Sequence, residues 1–233
     1  MPLKLSVIVP AYNEAATIDK LLKRVLDTRV EVGEVVVVDD GSTDETPDVL
    51  RSFESDPRVV VVTHEGNRGK GGAIRTGIAH VTGDVVLIQD ADLEYDPKDY
   101  DAILREFDDP DVSVVYGSRR LMKGNPRASL VFFLGGATLT WITNALYGTG
   151  ITDEPTCYKA FRSELLRDLP LKCEGFEFCP EVTALVAKRG IRIREVPIHY
   201  YPRLKSEGKK IRARHWFEAV GTLLVHRFRK EVL

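Results

Sequence analysis

The 233-residue sequence is short of cysteine, of net charge and of any repeat. Its three cysteines, Cys157, Cys173 and Cys179, form no C-x-x-C pair and are odd in number. A disulfide framework or a cysteine-rich zinc site is therefore excluded, and the thiols read as reduced, as in a cytoplasmic protein. A formal net charge of -2 leaves no footprint for nucleic acid. No low-complexity tract or flexible linker divides the chain, and "MPLKLSVIVP" has too short an apolar stretch for a signal peptide. From Ala128 to Thr152 charged residues are missing altogether. Gly135, Gly136, Gly148, Gly150, Asn144 and several threonines weaken "SLVFFLGGATLTWITNALYG" as a membrane span, so buried or interfacial helices are expected there.

What is present is ordinary globular material, 43% apolar and 29% charged. That suits a single domain over residues 1–233, burying roughly 70–75% of the unfolded chain's surface. Strand-like runs stand at 5–9, 34–39, 58–63, 84–89 and 112–117, separated by helical patterns near 14–28, 43–54, 70–80 and 97–108. Continuous Val and Ile runs, rather than alternating ones, imply strands covered on both faces. The fold class is thus an open α/β, mostly parallel sheet flanked by helices, with ligands expected beyond the carboxyl ends of the strands. The second half is less regular. A strand is expected in 156–162, a helix in 180–190 and a strand in 191–200, followed by a basic segment. From Arg203 to Lys230 nine Lys or Arg face only Glu207 and Glu218, a local charge of +7 that suggests an anionic partner.

After the five first-half strands come "PAYNE", "DDGSTDE", "HEGNRGKGGA", "DADLE" and "GSRR". Ser42 with Glu45 reads as a capping box and Asn13 as a cap of the first helix. Caps do not account for Asp39, Asp40, Asp90 and Asp92 on one rim, because carboxylates repel unless something positive sits among them. D-x-D at a strand end puts Asp90 and Asp92 on one side of an extended chain, and Glu94 continues the spacing if the chain stays extended. Oxygen ligands of this kind suit Mg²⁺ or Mn²⁺ bridging to a diphosphate. "GNRGKGGAIRTG" carries neither a dinucleotide fingerprint nor a P-loop, since Ile74 stands where glycine is needed and Gly71 follows Lys70. Its glycines and Lys70 are still placed to open a helix beside a phosphate.

With these residues laid out, the chain resembles the family 2 glycosyltransferases of GT-A fold. "SVIVPAYNEAATI", "VVVVDDGSTDET", "NRGKGGAIRTG" and "DVVLIQDADLEYDP" stand in the family's order over roughly residues 5 to 120. Through "VVYGSRR", "TDEPTCYKAFRSELL" and "YYPRLKSEGKKI" it is most similar to dolichyl- or polyprenyl-phosphate mannose and glucose synthases. The resemblance implies a nucleotide-sugar-binding half, 1–120, and an acceptor-binding half, 121–233. Pro10, Tyr12 and Glu14 would hold the nucleoside, Asp39 would read the base edge with Asp40 beside it, and Asp90 would face ribose and metal. Asp92 and Glu94 would ligate Mg²⁺ or Mn²⁺, although Glu94 stands where synthases of this type can carry Gln. Arg119, Arg127, Arg203 and Lys209 would gather the acceptor phosphate and the leaving diphosphate, and Asp92, Arg119 and Arg203 would be the residues most involved in transfer.

The reaction implied is inverting transfer of a hexose, with mannose favoured, from GDP-mannose or UDP-glucose to a polyprenyl phosphate. A lipid phosphate is already ionised and requires no general base. A sugar hydroxyl on a soluble or cell-wall acceptor requires one, with Asp153, Glu177 or Glu181 as candidates. A third reading is a silent nucleotide-sugar-binding subunit. No stretch reads as a membrane span, so any attachment is expected to be peripheral, at the cytoplasmic face of the membrane, or through a partner.

Overall fold

A computed structural model describes residues 3–126, 129–203 and 213–229. The first four apolar runs become β1 (Leu5–Ala11), β2 (Val32–Asp39), β3 (Val59–Thr63) and β4 (Val85–Ile88). Successive residues from Val35 to Val38 point to opposite faces, yet all are fully buried, as a strand covered on both sides requires. The helix α1 (Ile18–Leu26) buries Ile18, Leu21, Leu22 and Val25, one face of a 3.6-residue repeat. On its outer side Lys23 lies 2.8 Å from Asp19.

The strand order begins β3-β2-β1-β4, with all neighbours parallel. The chain moves outward from β1 to β3 and then returns to the other side of β1, so a topological switch lies between β1 and β4. In open α/β sheets the ligand site is expected above the carboxyl ends of two such strands. The fifth run, β5 (Val114–Ser118), is not the neighbour of β4. β6 (Lys159–Arg162) enters between them, antiparallel to both, and β7 (Ile193–Pro197) adds in parallel beside β5. With only β6 reversed, β5 and β7 point the same way as β4, and every other strand delivers its end to one rim. The fold class is therefore the expected one.

The expected helix caps do not form. Asn13, at φ +50°, accepts the Thr43 N–H through Oδ1 at 2.8 Å and donates its own N–H to Ser42 Oγ at 2.9 Å. For α2 (Thr46–Arg51), Asp44 Oδ1 accepts the Thr46 N–H at 3.0 Å, the role expected of Ser42 and Glu45. These residues lace the loops after β1 and β2 together.

Among the described residues the remaining α-helices are α3 (Gly69–Ile78), α4 (Tyr100–Arg105), α5 (Leu130–Tyr147), α6 (Ser163–Asp168), α7 (Phe178–Lys188) and α8 (Ala213–Phe228). The uncharged stretch is thus one 18-residue helix, and only Leu139, Thr140 and Thr143 of it are buried. Of the buried or interfacial helices expected there, the buried alternative is not met. By length and composition α5 could cross a membrane, which corrects the expectation that no stretch qualifies, although such a helix is weak evidence of spanning. Its inner side packs on α7 and α8 around Leu139, Ala184, Ala219 and Leu223.

Candidate active site

The β1 and β2 ends meet where Ala11 pairs with Asp39, which sets Pro10 and Tyr12 beside the second strand's carboxylates. Asp39 is fully buried. Its Oδ1 accepts the Ser42 N–H at 3.1 Å, while Oδ2 has no hydrogen-bond partner. A buried carboxylate oxygen left unmet is costly, and it marks a place where a ligand N–H fits.

Above β4, Lys70 Nζ lies 2.5 Å from Asp90 Oδ1. Burial acts to raise the Asp90 pKa, and the Lys70 ammonium, with Cys157 and Arg203, more than offsets it, so Asp90 stays below the usual carboxylate value. The Asp92 Oδ1 accepts the Glu94 N–H at 2.9 Å, and Oδ2 lies 2.7 Å from Arg203 Nη2. Burial, then the negative charge of Asp90, pushes Asp92 up to about 7 despite Arg203. Arg203 also reaches Glu14, with Nη1 3.1 Å from Oε2 and Nη2 3.3 Å from Oε1. Two cations of the chain therefore compensate the rim, Lys70 on one side and Arg203 on the other. Glu14 pairs with Arg203 instead of standing open to a nucleoside, and Arg203 sits on carboxylates instead of standing open to a phosphate.

Glu94 departs from its expected role as a metal ligand. Its Oε1 accepts the Arg203 N–H at 2.8 Å and its Oε2 the Tyr200 hydroxyl at 3.0 Å, while its carbonyl accepts the Tyr201 N–H at 2.8 Å. It ties down the chain leaving β7. Among the described residues no group of three or more His, Cys, Asp or Glu is arranged to hold a metal, so the trio of Asp90, Asp92 and Glu94 is not formed. Asp90 and Asp92 remain. Two carboxylates fit a hard divalent ion that completes its shell from a diphosphate.

Asp40 also departs from expectation. It is buried, its Oδ1 accepts the Arg68 N–H at 2.8 Å and lies 2.7 Å from His64 Nδ1, and its Oδ2 accepts the Gly69 N–H at 2.8 Å. The other ring nitrogen of His64 lies 2.9 Å from Thr76 Oγ1. Asp40, His64 and Thr76 thus pin the start of α3, which carries Lys70, to the end of β2. The Gly71 and Gly72 N–H groups donate to Gly175 O at 3.2 Å and Glu174 O at 3.0 Å. With these amides satisfied from within, the start of α3 is not the phosphate cradle that was expected. Its glycines serve close approach instead: a Cβ on Gly71 would lie 2.4 Å from Cys173 O, and one on Gly69, itself at φ +83°, 2.4 Å from Glu174 O.

At the end of β5, Arg119 holds Asp153 from three directions. Its backbone N–H donates to Oδ2 at 2.9 Å, Nε to Oδ2 at 2.7 Å and Nη2 to Oδ1 at 2.6 Å. The guanidinium lies 5.0 Å over the Tyr200 ring. Burial works to raise Asp153, and Arg119 overrides it to keep the carboxyl below its ordinary value. Glu181 accepts the Lys172 and Cys173 N–H groups at 2.9 Å and is held low in the same way, against burial, by His226 and those amides. Glu177 Oε1 accepts the Gly175 N–H at 3.0 Å. Arg127 and Lys209 lie outside the described residues.

Sequence reasoning gave no site role to His64, Thr76, Tyr200 or Cys157, whose sulfur is 3.7 Å from Lys70 Nζ. Only His64 carried a readable signal, since it follows β3 directly onto the carboxylate rim.

A UDP-N-acetylglucosamine–dolichyl-phosphate N-acetylglucosaminyltransferase of Methanococcus voltae is 30% identical over 216 residues, covering 82% of this chain and 83% of that protein. A dolichyl-phosphate beta-glucosyltransferase of Trichomonas vaginalis is 31% identical over 212 residues, or 84% of this chain, which spans 65% of that protein. In fold, the chain resembles glucosyl-3-phosphoglycerate synthase of Mycobacterium tuberculosis, solved with Mn²⁺, UDP and glucosyl-3-phosphoglycerate. The TM-score is 0.75 at 22% identity, over 99% of this chain and 82% of that one. The family model for glycosyl transferase family 2 matches residues 6–169, from β1 through the carboxylate rim to α6, and the chain belongs to that family.

Proposed function

We propose that this protein transfers a hexose, with inversion, from a nucleoside-diphosphate sugar to a polyprenyl phosphate. One observation carries the reading. Asp90 and Asp92 stand beyond the end of β4, at the topological switch point, each beside a cation of the chain, Lys70 and Arg203. That is the charge pattern a diphosphate and a divalent ion exploit. Mg²⁺ or Mn²⁺, held by Asp90 and Asp92, would neutralise charge on the departing diphosphate. The other roles fall to the chain. Pro10 and Tyr12 flank the nucleoside, and the unmet Asp39 Oδ2 accepts an N–H from the base. Lys70 and Arg203 turn from their carboxylates toward the diphosphate, and Arg119 faces the acceptor phosphate.

The state of the three candidate bases supports a phosphate acceptor. Asp153, Glu177 and Glu181 are all committed to hydrogen bonds, and Asp153 and Glu181 are held as weak bases. A hydroxyl acceptor would be poorly served, whereas a phosphate needs no deprotonation. The relatives act on dolichyl phosphate by name, and a further relative is an undecaprenyl-phosphate 4-deoxy-4-formamido-L-arabinose transferase. None of these names mannose, so the donor is best sought first among UDP-glucose and UDP-N-acetylglucosamine, with GDP-mannose alongside. The test is to incubate each labelled donor with Mg²⁺ and a polyprenyl phosphate and count label entering organic solvent, with a chelator control. Chelator-sensitive label in the organic phase is the expected result. Label remaining in water for every donor, or nucleotide binding without turnover, would overturn the reading in favour of a soluble acceptor or a silent subunit.

A further inference from the structure

An open cavity of about 790 Å³ lies between the start of α3, the chain entering α7 and one side of α8. Its inner wall is fixed. The Gly71 and Gly72 N–H groups, with Arg75 Nη1 donating to Lys172 O at 2.6 Å, hold residues 172–175 on α3. The outer wall, α8, is held from behind. The Trp216 indole donates to Gly135 O at 3.1 Å, and Lys188 Nζ donates to His226 O and Arg229 O at 2.9 Å. The cavity is therefore built into the fold, and its size is that of a small-molecule site. One end meets the carboxylate rim, because Lys70 lines the cavity while its Nζ stands 2.5 Å from Asp90.

The lining selects the ligand. With Lys70 set against Asp90, Lys172, Arg214 and Arg229 balance Glu177, Glu181 and Glu218, so these groups carry no net sign. A phosphate there would meet three carboxylates, and a metal ion three cations. A polyhydroxylated ring both donates and accepts, and so uses groups of either sign. Beside Lys70 the Phe176 and His215 rings, with centroids 4.8 Å apart, form an aromatic wall against which the apolar C–H side of a sugar ring can bury. Glu177 Oε1 accepts the Gly175 N–H at 3.0 Å, and a carboxylate with about four lone-pair sites can accept further hydroxyls.

We propose that this cavity receives the sugar of the nucleoside-diphosphate donor, with Phe176 and His215 against the ring and Glu177 and Glu218 on its hydroxyls. Lys70 joins the two parts of the donor. Its Nζ lies 5.9 Å from the centre of the Phe176 ring, so a sugar resting on that wall is within reach of a diphosphate at Lys70 and Asp90. His215 and Glu218 stand three residues apart on the cavity side of α8, and that helix thereby takes part in choosing the sugar. The inference deepens the function proposed above and rests on it for the sugar-nucleotide donor.

Calorimetric titration of UDP, GDP, UDP-glucose, UDP-N-acetylglucosamine and GDP-mannose, each with Mg²⁺, into the parent, Phe176→Leu and Glu218→Gln tests the assignment. Phe176 is half-buried and Glu218 exposed, and binding of the plain nucleoside diphosphate reports that each variant is folded. Both variants are expected to lose about tenfold in affinity for the sugar nucleotide that the parent binds, with affinity for the matching nucleoside diphosphate unchanged. Equal losses for the two, or no loss in either variant, would overturn the sugar site. A loss confined to the sugar nucleotide, in a protein that passes no label to any prenyl phosphate, would support the sugar site and overturn the lipid acceptor proposed above. A parent that binds none of the three sugar nucleotides would overturn both.

Discussion

Replacing Asp40 with asparagine separates two roles for one carboxylate: binding the nucleotide beside Asp39, or holding the start of α3. In the structure Oδ1 accepts from Arg68 and lies against His64, and Oδ2 accepts from Gly69. Asparagine keeps the shape but turns one oxygen into an NH₂, which then faces a donor whichever way the amide is placed. One charge-assisted bond is lost, at about 1.5–3 kcal/mol, and one buried N–H goes unmet, at about 1–3 kcal/mol. The sum is about 4 kcal/mol, and for a chain of this length that lowers Tm by roughly 8–16 °C. Thermal and urea unfolding without ligand measures it, and nucleotide titration by calorimetry measures the other role. An unchanged Tm together with a tenfold or greater loss of nucleotide affinity would refute the positioning role and return Asp40 to nucleotide binding beside Asp39.

Three further outcomes are expected. Arg203→Met leaves Asp92 and Glu14 without their shared cation, so Mg²⁺ should raise Tm more in the variant than in the parent; equal shifts would sink the compensation argument. Glu154 is pushed up to about 7, chiefly by burial, with Lys159 opposing. A carboxyl whose folded value is raised contributes stability below its unfolded pKa and loses it as pH rises toward the folded value. Stability should therefore fall by about 3 kcal/mol between roughly pH 4.5 and 7 on this group's account. Glu154→Gln should flatten that slope in denaturant titrations across the range, and identical slopes would refute it. Gly71→Ala should destabilise the ligand-free protein by about 1–3 kcal/mol because its Cβ meets Cys173 O, while Gly66→Ala, with open space around it, should change little in the same denaturant assay.

Much of this protein was legible in its sequence because the signals are local. Buried strands require unbroken runs such as Val35–Val38, and the parallel order then carries whatever follows each run to one rim. Asp39, Asp90, Asp92 and Lys70 were reachable on that basis as rim residues, and the family through the resemblance its motifs carry. The tertiary structure alone decided which of these groups remain open to a ligand. Asp39 keeps a bare oxygen while its neighbour Asp40 is consumed by Arg68 and Gly69, and Asp92 faces Arg203 while Glu94 is taken by the Arg203 N–H and Tyr200. The physical reason is that backbone N–H groups are the same at every residue and leave no mark in the sequence, yet they claim carboxylates 28 to 109 residues away. The insertion of β6 beside β4 and the exposure of α5 are likewise settled by pairing and packing between distant segments, which no local pattern encodes.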